Sequence, residues 1–174
     1  MTLAETFIAR SRYYLREEYR KKLALAVNAI PAERLWWRPD DASNSAGNLL
    51  LHLAGNVRQW IVAGVGGAPD ARDRAAEFEA RSGLPANELV LRLYATLDEV
   101  DAVLATLDET RLAERVTIQG RDVTVLEAVF HVVEHFSLHL GQLILMAKQF
   151  SPGAIKFYED AGGLAKPVWK ELQF

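Results

Sequence analysis

The chain has 174 residues, 50% hydrophobic and 25% charged, with a net charge of −3 and no cysteine. That length suits one domain with a sizeable core, and the composition excludes a disordered chain. Basic residues are scattered rather than striped, which argues against a nucleic-acid partner, and without cysteine neither disulfides nor thiolate metal ligands are available.

The N-terminus lacks the basic-then-apolar layout of a signal peptide, so a cytoplasmic protein is expected. Thr2 and Glu5 form a capping-box pattern that opens a first helix. Its apolar stripe runs through Phe7, Ile8, Tyr14, Leu15, Leu23, Leu25, Ala26 and Ile30, with Arg10, Arg12, Arg16, Glu17, Arg20, Lys21 and Lys22 on the other side. Pro31 ends it. Residues 32–45 read as a loop anchored by Trp36 and Trp37. Ser45 or Ser43 caps a second helix, Ala46 to Ala63, stopped by Gly64, Gly66 and Gly67.

His52 lies in the middle of that second helix, with Asn48, Asn56 and Gln59 at −4, +4 and +7. This polar stripe reads as support around a site or a water-filled pocket, or else as a solvent edge. Residues 64–83 form a long connection, suggestive of a partly helical flap. Pro85, placed at a first helical position, opens a third amphipathic helix through Leu107. Residues 115–125 alternate around Gln119-Gly120, the pattern of a small hairpin or extended crossover. Thr124 and Glu127 repeat the capping box and open a fourth helix, Val125 to about Gln149, ended by Ser151-Pro152-Gly153. No segment reads as a membrane span, because Glu127, Glu134, the histidines and Gln142 interrupt this most apolar stretch. It reads as a buried central helix. Residues 151–174, with Phe157, Tyr158, Trp169 and Phe174, form an irregular tail packed on a single domain 1–174. The expected fold is all-α, a four-helix bundle with long connections and a short hairpin or crossover before the last helix.

Three of the four histidines, His131, His135 and His139, lie on the fourth helix at i, i+4 and i+8. Steps of four advance roughly 400°, so the three rings share a sector of about 80°. A cluster of buried imidazoles without partners is costly, and a metal ion relieves that cost by taking their lone pairs. Spacing alone leaves open whether His131 with His135 or His135 with His139 is the binding pair.

The run His135-x-x-x-His139-x-Gly141-Gln142, the lone upstream His52 in Leu-Leu-His-Leu-Ala-Gly-Asn-Val-Arg-Gln-Trp60, and the four-helix layout resemble the DinB-like superfamily of metal-binding bundles. Its members include damage-inducible proteins of unassigned activity, bacillithiol transferases and mycothiol-dependent maleylpyruvate isomerases. The resemblance implies that His52, His135 and His139 are the metal ligands and that His131 is a supporting residue or water partner beside them. Gly141 is then expected to allow close helix approach and Gln142 to bond across to the second helix, with Asn56 a further supporting candidate. Leu140 departs from the superfamily, which usually has a basic residue there. A homodimer is also implied.

Three imidazoles leave a divalent ion such as zinc, nickel or iron with an open position. The resemblance implies a thiol-dependent S-transferase or isomerase, in which the ion activates a low-molecular-weight thiol toward a small-molecule substrate. A metal-dependent hydrolase is the second reading, with Glu134 or another nearby carboxylate as base. It ranks lower, since Glu134 points about 100° away from His135. A non-enzymatic metal- or ligand-binding stress-response bundle is the third.

Overall fold

The computed structural model describes residues 1–171, and four helical rods carry its core. The first rod opens on a complete capping box: Thr2 Oγ1 accepts from the Glu5 amide, and the Glu5 carboxylate accepts from that of Thr2. It runs as α1 (Leu3–Tyr13), a π-helical segment (Tyr14–Glu18) and α2 (Tyr19–Asn28). The expected single helix is thus continuous but locally widened. Its polar side does more than face water. Arg12 donates to both oxygens of Asp101 at 2.7 and 3.0 Å, Arg16 donates to the same carboxylate at 2.9 Å, and Arg20 pairs with Asp98.

The second rod is α3 (Ala46–Val57), continued by π-helical Arg58–Val65. Ser45 caps it, accepting from the Asn48 amide while Asn48 Oδ1 accepts from that of Ser45. The preceding loop is anchored as expected by Trp36, whose ring lies so close over Gly47 that a Cβ there would come within 2.7 Å of it. The long connection contains a short helix, α4 (Arg74–Glu79), packed on α3. The third rod, α5 (Ala86–Leu104), buries Leu89, Leu93, Leu97, Val100 and Leu104; Pro85 stands at its cap, one position earlier than expected. An unforeseen short helix, α6 (Glu109–Ala113), precedes the hairpin of β1 (Arg115–Ile118) and β2 (Arg121–Thr124). Gln119 and Gly120 turn it with φ of 53° and 73°, the left-handed pair that matches strand twist.

The fourth rod, α7 (Val125–Phe150), packs against α2 and α3. Val125, Val129, Val132, Phe136, Leu140, Leu143 and Ala147 face the core, and Phe136 stacks on Tyr19 with centroids 5.3 Å apart. By length and composition this helix is apolar enough to cross a membrane, and one of its sides is this core face. The expectation of full burial needs correction, because Phe130, Leu138 and Leu145 on the opposite side are more than half exposed. The tail is more regular than expected: β3 (Tyr158–Asp160) pairs with β4 (Ala165–Pro167), and Trp169 is buried with the Lys22 ammonium 5.0 Å from its ring. Phe174 lies outside the described residues.

Candidate metal centre

Helices α3 and α7 lie side by side, and His52 of one meets His135 and His139 of the other. One nitrogen from each ring lies within 4.8 Å of the other two, and the Nε2 atoms of His52 and His135 are 2.9 Å apart. His52 is buried, whereas His135 and His139 are half-buried at the edge of α7. The tautomers follow from the partners. His52 Nδ1 lies 3.0 Å from Glu77 Oε2, and a carboxylate has no proton to give, so the imidazole donates and its Nε2 carries the lone pair. His139 Nδ1 is 2.7 Å from Gln142 Oε1, again an acceptor only, which leaves its Nε2 free in the same way. Burial, followed by the neighbouring His139 and His52, pushes His135 down to about 3. Burial also lowers His139, partly offset by the bond to Gln142. Imidazole nitrogens gathered this closely form the donor set that a borderline divalent ion accepts.

The other expected residues divide. His131 is outside the group: its ring lies tilted against Trp60 with centroids 4.1 Å apart and stacks on His135 at 5.2 Å, forming a wall beside the imidazoles. Burial lowers its pKa as well. Asn56, one turn after His52, is buried, and its Oδ1 has no hydrogen-bond partner. Gln142 does not bond across to the second helix; it stays on α7 and holds His139. Gly141 makes no close approach, since a Cβ there would meet nothing within 4 Å. The polar stripe divides along its length, with Asn48 and Asn56 buried and Gln59 half-buried at its end. Asn48 Nδ2 donates to the carbonyls of Glu77 and Ala80 at 2.8 and 2.9 Å and so docks α4, while Gln59 bonds to Asp70, Arg72 and Gln119.

Two residues carry no signal of their own in the sequence pattern. Glu77, on α4, reaches His52, and Arg72, just before that helix, donates to Glu77 through Nε and Nη2, both at 2.7 Å. Burial alone would raise the Glu77 carboxyl, but Arg72 and then His52 outweigh it and hold the group below its usual range. Phe78, next in sequence, lies against the His52 ring with centroids 4.7 Å apart. An indirect signal was present in Gly55, three residues after His52. A Cβ there would fall 1.9 Å from Glu77 Oε1 and 2.9 Å from Arg72 Nε. A cleft of about 720 Å³ lies on the far side of this pair, between Arg58, Gln59, Asp70 and Arg92. It shares Arg72 and Glu77 with the site but does not include the histidines.

A solved DinB-like protein of Bacillus subtilis, YjoA, is similar in structure, with a TM-score of 0.64 and 20% sequence identity over 86% of this chain and 97% of that one. The resemblance carried by His52, His135, His139 and Gln142 is therefore borne out at the level of the fold, a DinB-like helical bundle. No curated protein matches the chain. Residues 2–158 match the family described as proteins of unknown function DUF1572, and with most of its length matched the chain belongs to that family.

Proposed function

We propose that His52, His135 and His139 hold a divalent ion, zinc, nickel or iron, and that the protein is a thiol-dependent S-transferase or isomerase acting on a small molecule. The observation that carries this reading is the convergence of three imidazole nitrogens within 4.8 Å of one another. When bound, such an ion keeps an open position and lowers the pKa of a thiol or water placed there. Glu77 and Gln142 keep the His52 and His139 lone pairs turned inward. Trp60 and His131 wall one side, and the unpartnered Asn56 Oδ1 is an acceptor for a donor group on a ligand.

One feature weighs against hydrolysis. Glu77 is held by Arg72 and His52, and Glu134 is exposed on α7, so neither is placed as a free base. The chain has no cysteine, so in the thiol reading the nucleophile is supplied by the cosubstrate. Elemental analysis of the purified protein tests the site. The wild type is expected to carry stoichiometric metal, His52→Ala and His135→Ala to lose it, and His131→Ala to keep it. Full retention by both ligand variants overturns the assignment. The reaction class is read from S-conjugate formation between a low-molecular-weight thiol and a chromogenic electrophile, expected with the loaded wild type and lost in His135→Ala; ester hydrolysis without conjugation would select the hydrolase.

A further inference from the structure

We infer that Glu77 and Arg72 are positioning residues for the metal centre, a buried carboxylate–guanidinium pair that sets the tautomer and rotation of His52 from the segment between α3 and α5. The inference rests on the metal-binding reading above. An imidazole can ligate through Nε2 only if its remaining proton sits on Nδ1, and a carboxylate at Nδ1 enforces that arrangement while raising the basicity of the ligating nitrogen. Glu77 Oε2, 3.0 Å from His52 Nδ1, occupies this place.

Arg72 restrains the carboxylate. Its Nε donates to Oε1 and its Nη2 to Oε2, while Nη1 donates to Gln59 at 2.9 Å, so the guanidinium is held on three sides. Nη2 also lies 3.0 Å from His52 Nδ1, but both carry protons, and the acceptor they share is Glu77. With both oxygens gripped, Glu77 cannot swing past the ring and become a ligand itself. The pair is nearly closed to water, with 4% of the Arg72 side chain and 9% of that of Glu77 exposed. Buried ion pairs are poor stabilisers by themselves, because desolvation consumes most of their attraction. This one is nevertheless accommodated by the absence of a side chain at Gly55 and by Asn48, which fastens α4 one turn before His52. Space, charge and docking all converge on one ring nitrogen.

The test measures Zn²⁺ affinity by chelator competition and the visible spectrum of the Co²⁺-loaded protein, for the wild type, Glu77→Gln and Gly55→Ala. Gly55→Ala leaves every proposed ligand and the Glu77 side chain in the sequence but displaces the carboxylate. Both variants are expected to bind Zn²⁺ about 10- to 100-fold more weakly and to shift the Co²⁺ bands, a change that a purely structural role in docking α4 would not produce. Folding is checked by circular dichroism of the metal-free proteins, and where Glu77→Gln does not fold, Gly55→Ala decides. Folded variants with wild-type affinity and spectrum overturn the positioning role while leaving the three-histidine site standing. A wild type that takes up neither ion overturns the metal reading and this inference with it.

Discussion

The burial of His135 makes the metal-free protein sensitive to acid. The folded pKa of this histidine, about 3, lies far below the ordinary imidazole value, near 6.5. Between those two pH values the unfolded chain binds more protons than the folded one, so stability rises with pH across the window and is lost as pH falls through it. Above about pH 6.5 this contribution is constant. Denaturation midpoints of the metal-free wild type are therefore expected to drop between about pH 6.5 and 5 more steeply than those of His135→Gln, a window chosen above the range in which carboxylates titrate; parallel profiles would count against the burial that causes the shift. The histidine stripe on the fourth helix was legible because i, i+4 spacing is a property of one helix, whereas the choice of His135 and His139 over His131, and their completion by His52, came from the resemblance. Glu77 and Arg72 were not legible, because they come from an aperiodic stretch and meet His52 only through tertiary contact. Gln142 was misread for a related reason: spacing placed it one turn from His139 but could not say that the nearest acceptorless N–H was on its own helix.

Among the elements, the first rod shows what periodicity conveys and what it omits. The alternation of apolar and basic positions correctly separated its two sides, yet Arg12 and Arg16 proved to be aimed at one carboxylate on α5. The hydrogen bond from Arg12 holds Asp101 below its usual range. Asp101→Asn removes the charge that gathers both guanidinium groups and is expected to cost about 1–2 kcal/mol, held to that range because the arginines are partly solvated. Thermal melts at neutral pH check the value, and a loss that persists unchanged in about 1 M salt would show that packing rather than charge was removed. Capping boxes at Thr2 and Thr124 were readable because the motif is local. The π-helical segments and α6 left no pattern distinct from an ordinary helix or loop.

For the molecule as a whole, the site draws on three separate parts of the chain: α3, α7 and the segment carrying Arg72 and Glu77. An ion that binds only the assembled arrangement stabilises all three at once, by about 2.7 kcal/mol when present at roughly 100 times its dissociation constant. Amide hydrogen exchange over residues 72–80 is accordingly expected to slow on addition of Zn²⁺, although no proposed ligand lies there; exchange that slows only in α3 and α7 would show that the segment is not coupled to the ion. The bundle was legible as a whole because its four rods are long and amphipathic, whereas the flap's contribution depended on one glycine whose meaning emerges only in three dimensions. The π-helical continuation of α3, Arg58–Val65, has a different kind of consequence. A π turn holds more residues than an α turn, so it marks a place where a lineage can gain or lose a codon without breaking the rod. Deleting one residue there would leave His52, Gly55 and Asn56 upstream undisturbed and rotate the downstream part of the rod by about 100°, carrying Trp60 away from His131. A length change at this point would reshape the Trp60–His131 wall beside the imidazoles while the three imidazoles stay in place.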